Sequence, residues 1–300
     1  MRGKVQWISM LVTSVLLVVL GTSIYLFAIS SKNLDEKPRT KKIDFQQTKH
    51  RETEKRQVVP LSLQQKKVEQ VLMDYEGRSP TYWGESVPGV KHHLDTKKKV
   101  MTLTFDACGG PRGSQVDKRL LQYLENEKIP ATLFINSRWI DAHPKRFRQL
   151  AANPLFEIAN HGTEHRPLSV NGRSVYGIKG TQGIREALNE ILSNQRKIAS
   201  ITGKAPRYFR SGTAYYDDVS VAAAQKLGVQ IVNFDILGDA GATYNREQVN
   251  EALLHARAGS IIILHMNQPE SETAEGVRDA VPVLRKKGFR FVKVGDVGAR

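Results

Sequence analysis

Val100-Met101-Thr102-Leu103-Thr104-Phe105-Asp106-Ala107 is a short apolar run that closes on a carboxylate. It reads as a β-strand, and the pattern around it repeats. Apolar runs recur at 131–136, 156–159, 208–210, 230–234, 260–264 and 289–294. Amphipathic, helix-like stretches lie between them, at 116–127, 144–152, 184–201, 219–227, 247–256 and 274–287. Pro and Gly punctuate the joints. Strands alternating with helices make βαβ units and a parallel sheet. Seven such units in about 200 residues predict an α/β fold, a distorted (β/α) barrel of about seven strands, with a doubly wound sheet as the alternative. Gly109-Gly110-Pro111-Arg112-Gly113 follows the first strand but matches neither phosphate-loop motif, and Pro111 interrupts the backbone donors.

In barrels of this kind the chemistry sits at the C-terminal ends of the strands. Asp106 follows the first run and Asn160-His161-Gly162-Thr163-Glu164-His165 follows the third. Arg210, Asp235 with Asp239, and His265 end three later runs. Helix capping explains any one of these; five together describe a polar mouth. His161-x-x-x-His165 is the metal signal. On a helical turn this spacing puts both imidazoles on one face, within reach of one ion. Two imidazoles with a carboxylate suit zinc, and also cobalt, nickel or manganese. The adjacent His92 and His93 point apart in a polar stretch and read as solvated.

Taken in order, these motifs resemble carbohydrate esterase family 4, the polysaccharide deacetylases, from about residue 100 to the C-terminus. Thr104-Phe105-Asp106-Ala107 is similar to the family's Thr-Phe-Asp-Asp, whose first Asp is the general base and whose second is a metal ligand. His161-Gly162-Thr163-Glu164-His165-Arg166-Pro167 resembles the motif whose two His bind the metal, with an added Arg before the Pro. Arg210-Ser211-Gly212-Thr213-Ala214 resembles an altered third motif, whose Arg orients the base and whose backbone N–H serves the oxyanion, here near Thr213. Asp235-Ile236-Leu237-Gly238-Asp239 stands in the place of the fourth, and Ile263-Leu264-His265 resembles the fifth, which carries the general acid.

The resemblance implies metal-dependent hydrolysis of N-acetyl groups on an envelope or extracellular polysaccharide, peptidoglycan or chitin-like. Asp106 is the expected base and also a candidate ligand beside His161 and His165. His265 is the expected acid, partnered by Asp235 or Asp239. Tyr215, Tyr216 and Met266 are expected to line the sugar groove. Ala107 stands where the family has its ligand Asp, which leaves three outcomes. Asp106 or a nearby loop group completes the site; or Cys108 does, although side chains at 107 and 108 diverge; or the metal is held weakly in a catalytically inactive glycan-binding relative tethered at the membrane.

The rest of the chain bears on location. The 300 residues carry 45 Lys and Arg against 30 Asp and Glu, a formal +15. A single Cys excludes an internal disulfide and a Cys-based zinc cluster. Arg2 and Lys4 precede an apolar run over 5–29. That exceeds a signal-peptide core of about 7–15 residues and suits a span of about 20. Residues 1–30 are therefore expected to be a signal anchor, with a cleaved signal peptide as the alternative. Residues 31–80 read as a disordered basic linker, with a short amphipathic helix expected over 68–74, and 81–300 as the catalytic domain. Eleven basic and five acidic residues fall within 31–67, and with Arg2 and Lys4 residues 1–67 carry +8 of the +15. This composition, with no recognition motif, argues against a nucleic-acid partner. A monomer held at the cell membrane with an extracytoplasmic domain is expected, secreted if the signal is cleaved.

Overall fold

The structure, a computed structural model, describes residues 62–300. The expected anchor and most of the expected linker lie outside them. No helix among the described residues is long and apolar enough to cross a membrane.

Helix α1 (Leu63–Tyr75) begins at a capping box in which Ser62 and Gln65 each accept the other's backbone N–H. Its buried Val71, Leu72 and Tyr75 form one stripe packed with Ile184, Leu188 and Val219. The folded part thus starts near residue 62, well before the expected boundary at 80.

The remaining elements are β1 (Trp83–Gly84), β2 (Val100–Ala107), α2 (Lys118–Asn126), β3 (Ala131–Ile135), α3 (Ser137–Ala142), α4 (Pro144–Ala152), β4 (Phe156–Asn160), α5 (Gly183–Thr202), β5 (Tyr208–Phe209), β6 (Tyr216–Asp217), α6 (Asp218–Lys226), β7 (Gln230–Ile231), β8 (Ile236–Leu237), α7 (Arg246–Leu254), β9 (Ile261–His265), α8 (Thr273–Lys286), β10 (Arg290–Phe291) and α9 (Val294–Val297). Seven strands form a curled parallel sheet in the order β7-β5-β4-β3-β2-β9-β8, with β10 pairing beside the start of β2.

The sheet does not close on itself. The run at 230–234, expected as one strand, instead crosses the seam and leaves β7 and β8 on opposite edges. The side chain of Asn233 explains the interruption. It donates to the carbonyls of Glu85 and Ala214 and accepts from the Tyr216 hydroxyl, so the chain bends there. Residues 91–94 fill the gap. Lys91 bridges to Val232 and His93 to Ser260. His92 and His93, expected in solvent, are half-buried in this seam, with His92 Nδ1 3.0 Å from the Phe234 carbonyl.

Alternation along the strands sorts chemistry from packing. Met101, Leu103, Phe105 and Ala107 of β2 join the core between sheet and helices. The opposite face of β2 carries Thr104 and Asp106, both bonded to Arg210. In β9, Ile262 and Leu264 pack into the same outer core, and Met266 beyond them follows. Met266 is fully buried there, so it does not line a sugar groove.

Candidate active site

Asp106 and Arg210 form the first unit. Arg210, at the end of β5, is fully buried. Its guanidinium donates to Asp106 Oδ1 at 2.8 Å and to Thr104 Oγ1 at 3.0 Å. It also donates to the carbonyls of Val232 and Asn233, and lies 4.1 Å above the Phe134 ring. A buried charge needs such complete pairing. Burial alone would raise the Asp106 carboxyl, but Arg210, then His161 and His265, outweigh it and hold the carboxyl below its ordinary range. Asp106 is therefore ionised at neutral pH.

His265 and Asp239 form the second unit. His265 is the last residue of β9 and sits opposite Asp106 in the strand register. Its Nδ1 lies 2.9 Å from Asp239 Oδ1, and its backbone N–H donates to Asp239 Oδ2 at 2.7 Å. Thr273 Oγ1 donates to the same carboxylate. Burial lowers the His265 imidazole, but the fully buried Asp239 outweighs it and pushes it well above its ordinary value. The pairing belongs to Asp239. Asp235, the other expected partner, lies at the far end of β9, where it accepts from the Ile261 N–H and Ser260 Oγ. The turn that crosses the seam carries it away from the mouth.

The third unit is the histidine pair. His161 and His165 do stand together, with ring centroids 4.9 Å apart at 85°. They do so on a loop, not on the helical turn the spacing suggested. His165 takes the left-handed φ of +66°, which folds its ring back over His161. Gly212 makes room, because a side chain there would overlap the His165 ring and carbonyl. The loop winds around the buried Glu190 carboxylate, which accepts the backbone N–H groups of Thr163, Glu164 and Arg166 at 2.9–3.2 Å. Glu190 lies on α5, distant in sequence, and no motif marks it.

The donor atoms fit a metal ion. His161 Nδ1 lies 3.0 Å from the Arg210 carbonyl, so this nitrogen carries the hydrogen and Nε2 offers a lone pair. His161 Nε2 is 3.6 Å from Asp106 Oδ2 and 3.8 Å from Cys108 Sγ. One donor atom each from Cys108, His161 and His165 lies within 4.8 Å of the others. His165 Nε2 is buried and has no hydrogen-bond partner. Burial would raise the Cys108 thiol, but His165, His161 and His265 overcome it and hold the thiol well below its ordinary value. Against the opposing effect of burial, the His161 imidazole is raised by Asp106 and Cys108. Positive charge is favoured where these atoms converge.

A cavity of about 440 Å³ opens on this cluster. Cys108, His165 and His265 line it, with Arg112, Arg138 and the glycine-rich loop at 109–113. Thr213 is buried nearby in the chain, with Oγ1 unpartnered. Tyr216 is not a groove residue. It is fully buried, accepting from the Ser211 N–H and donating to Asn233. Tyr215 is half-buried in an aromatic cluster, its ring 5.9 Å from Trp83 and 5.7 Å from the exposed Tyr176. The strand β1 that brings Trp83 to β6 had no signal in the sequence beyond its aromatic residues.

Comparison with known proteins agrees with this geometry. The polysaccharide deacetylase family model matches residues 93–232. A peptidoglycan-N-acetylglucosamine deacetylase of Bacillus cereus is 24% identical over 212 residues, 69% of this chain and 92% of that protein. The fold is shared with a pseudoenzyme of family CE4 from Bacillus anthracis, at 19% identity and TM-score 0.58, over 71% of this chain and 69% of that one. It is also shared with a cobalt-bound family 4 acetyl xylan esterase of Clostridium thermocellum, at 22% identity and TM-score 0.55, over 66% and 90%. One fold thus hosts active and inactive members, and its site decides between them. With these motifs at the mouth of its curled sheet, this chain carries, over residues 93–232, a polysaccharide deacetylase domain like those of carbohydrate esterase family 4.

Proposed function

We propose that the protein hydrolyses N-acetyl groups on an envelope polysaccharide, with Asp106 as general base and His265 as general acid. The observation that carries this reading is the pair of oppositely poised units. Asp106 is held ionised by Arg210, and His265 is held protonated by Asp239, on neighbouring strands. A binding protein has no use for a buried base and a charged acid set side by side in the strand register.

Asp106 accepts a proton from the attacking water, whose oxygen bonds to the acetyl carbon. Arg210 keeps the carboxylate oriented. The backbone near Thr213 faces the oxyanion. When the C–N bond breaks, His265 gives its proton to the leaving nitrogen, and the products are acetate and a free amine. Asp239 holds the imidazole in the donating orientation through Nδ1. His161 and His165 would hold a divalent ion, zinc in the first instance, which would supply Lewis acidity at the acetyl oxygen.

The cavity also favours a class of glycan. Its wall carries two guanidinium groups and no carboxylate among the described residues. That suits peptidoglycan, whose sugars carry acidic substituents, above a neutral chitin-like chain. The apolar run at 5–29 supports an extracytoplasmic, membrane-held enzyme, which is where such a substrate lies.

Acetate release from peptidoglycan strands and from chitin oligomers tests the reading. Asp106→Asn keeps an acceptor for Arg210 and is expected to lower turnover about 10²–10⁴-fold. Wild-type acetate release by that variant would remove Asp106 from the base role. Equal rates on both glycans would remove the preference for acidic chains.

A further inference from the structure

We propose that the thiolate of Cys108 is the third protein ligand of the metal centre, in place of the carboxylate that the family motif puts at position 107. This rests on the metal-dependent reading above. Side chains two apart on a strand share a face, so Cys108 continues the side of β2 that carries Asp106. Ala107 points the other way, into the outer core. A carboxylate at 107 would enter that apolar layer, and the role passes to the next inward position.

The separations agree with a bound ion. Zinc–sulfur and zinc–nitrogen bonds of about 2.3 and 2.0–2.1 Å in a tetrahedron place sulfur and nitrogen about 3.6 Å apart. Cys108 Sγ and His161 Nε2 are 3.8 Å apart. His161 presents Nε2 because its Nδ1 faces the Arg210 carbonyl, and His165 Nε2 has no competing partner. The turn after Cys108 is also built for this. Gly109 has φ +68°, and a side chain on it would come within 2.6 Å of the Trp139 backbone nitrogen. Arg138 donates to the Cys108 carbonyl at 3.2 Å and holds the bend. One thiolate and two imidazoles leave a position open for water or substrate, the arrangement of catalytic zinc sites. A soft sulfur donor favours zinc and disfavours manganese, unlike an oxygen donor in its place.

Cobalt substitution of the purified full-length chain reads the ligand directly. Cobalt(II) on this site gives visible d–d bands, and a bound thiolate adds an intense sulfur-to-cobalt band in the near ultraviolet. Both are expected in the wild type. Cys108→Ser should keep the visible bands, lose the ultraviolet band, and bind zinc at least 10-fold more weakly, with circular dichroism confirming its fold. Cys108→Asp should also lose the ultraviolet band while shifting preference from zinc towards manganese. Visible bands without the ultraviolet band in the wild type would overturn Cys108 as a ligand and leave the histidine site standing. No cobalt bands at all would overturn the metal centre, and this proposal with it.

Discussion

Arg210 shows how far one residue is committed by its surroundings. Its guanidinium satisfies Asp106, Thr104 and two carbonyls with no access to solvent. Removing one member of a buried pair leaves an uncompensated charge, at a cost of about 3–5 kcal/mol. Arg210→Met is therefore expected to lose that much stability in a denaturant titration, besides its activity. A loss below about 1 kcal/mol would mean water reaches the pair, as at an exposed ion pair. The strand ends already named Asp106, Arg210, His161, His165 and His265, because a charged or imidazole group directly after an apolar run has few packing explanations. Cys108 is one of three alternatives in the sequence, where its divergence from Ala107 counts against it; the relevant neighbour is Asp106, two residues back. Asp235 and Asp239 have the same chemistry and nearly the same position in sequence. Only the path of the chain across the seam separates them.

At the scale of elements, the loop at 161–166 is the least legible part of the site and depends on α5. Its N–H groups converge on Glu190, which replaces the regular hydrogen bonding that a helix would have provided. Groups that orient ligands without touching the metal typically matter about 10–100-fold in affinity. Glu190→Ala should weaken zinc binding by that factor in a chelator competition, while Glu190→Gln, which keeps acceptor oxygen, should lose less. Unchanged affinity in the Ala variant would show that the loop holds itself.

The other end of the barrel offers a test of burial. Glu157 on β4 accepts from Thr132 Oγ1 at 3.0 Å and the Gly295 N–H at 2.8 Å, both at Oε2. Burial raises its carboxyl against those bonds. A folded-state value raised above the unfolded one means stability is greatest below the unfolded value and is lost as pH rises through the folded one. Glu157→Gln keeps one oxygen for both donors and carries no charge. It should melt above wild type at pH 7, with the gap closing near the ordinary glutamate value of about 4.3. A lower melting temperature at pH 7 would show that the carboxylate is stabilising as an ion.

For the whole molecule, residues 1–61, about a fifth of the chain, carry +6 of the +15. Cosedimentation with anionic peptidoglycan sacculi should weaken between low and physiological salt, since the screening length falls from about 30 Å at 0.01 M to about 8 Å at 0.15 M. A chain lacking residues 1–61 should bind less and respond less to salt. Equal salt dependence of the two would place the attraction in the domain itself.

The sequence by itself determined the α/β class, most helices, the charged and imidazole residues at the strand ends and the resemblance to polysaccharide deacetylases, because these rest on local periodicity and on short motifs. The helix at 144–152 has the bounds read from its pattern. Tertiary structure alone decided that the barrel is open, that Asp239 and not Asp235 meets His265, that Tyr216 and Met266 are packed away, and that Cys108 joins the histidines. Each of those depends on contacts between segments far apart in the chain, which a one-dimensional pattern does not encode.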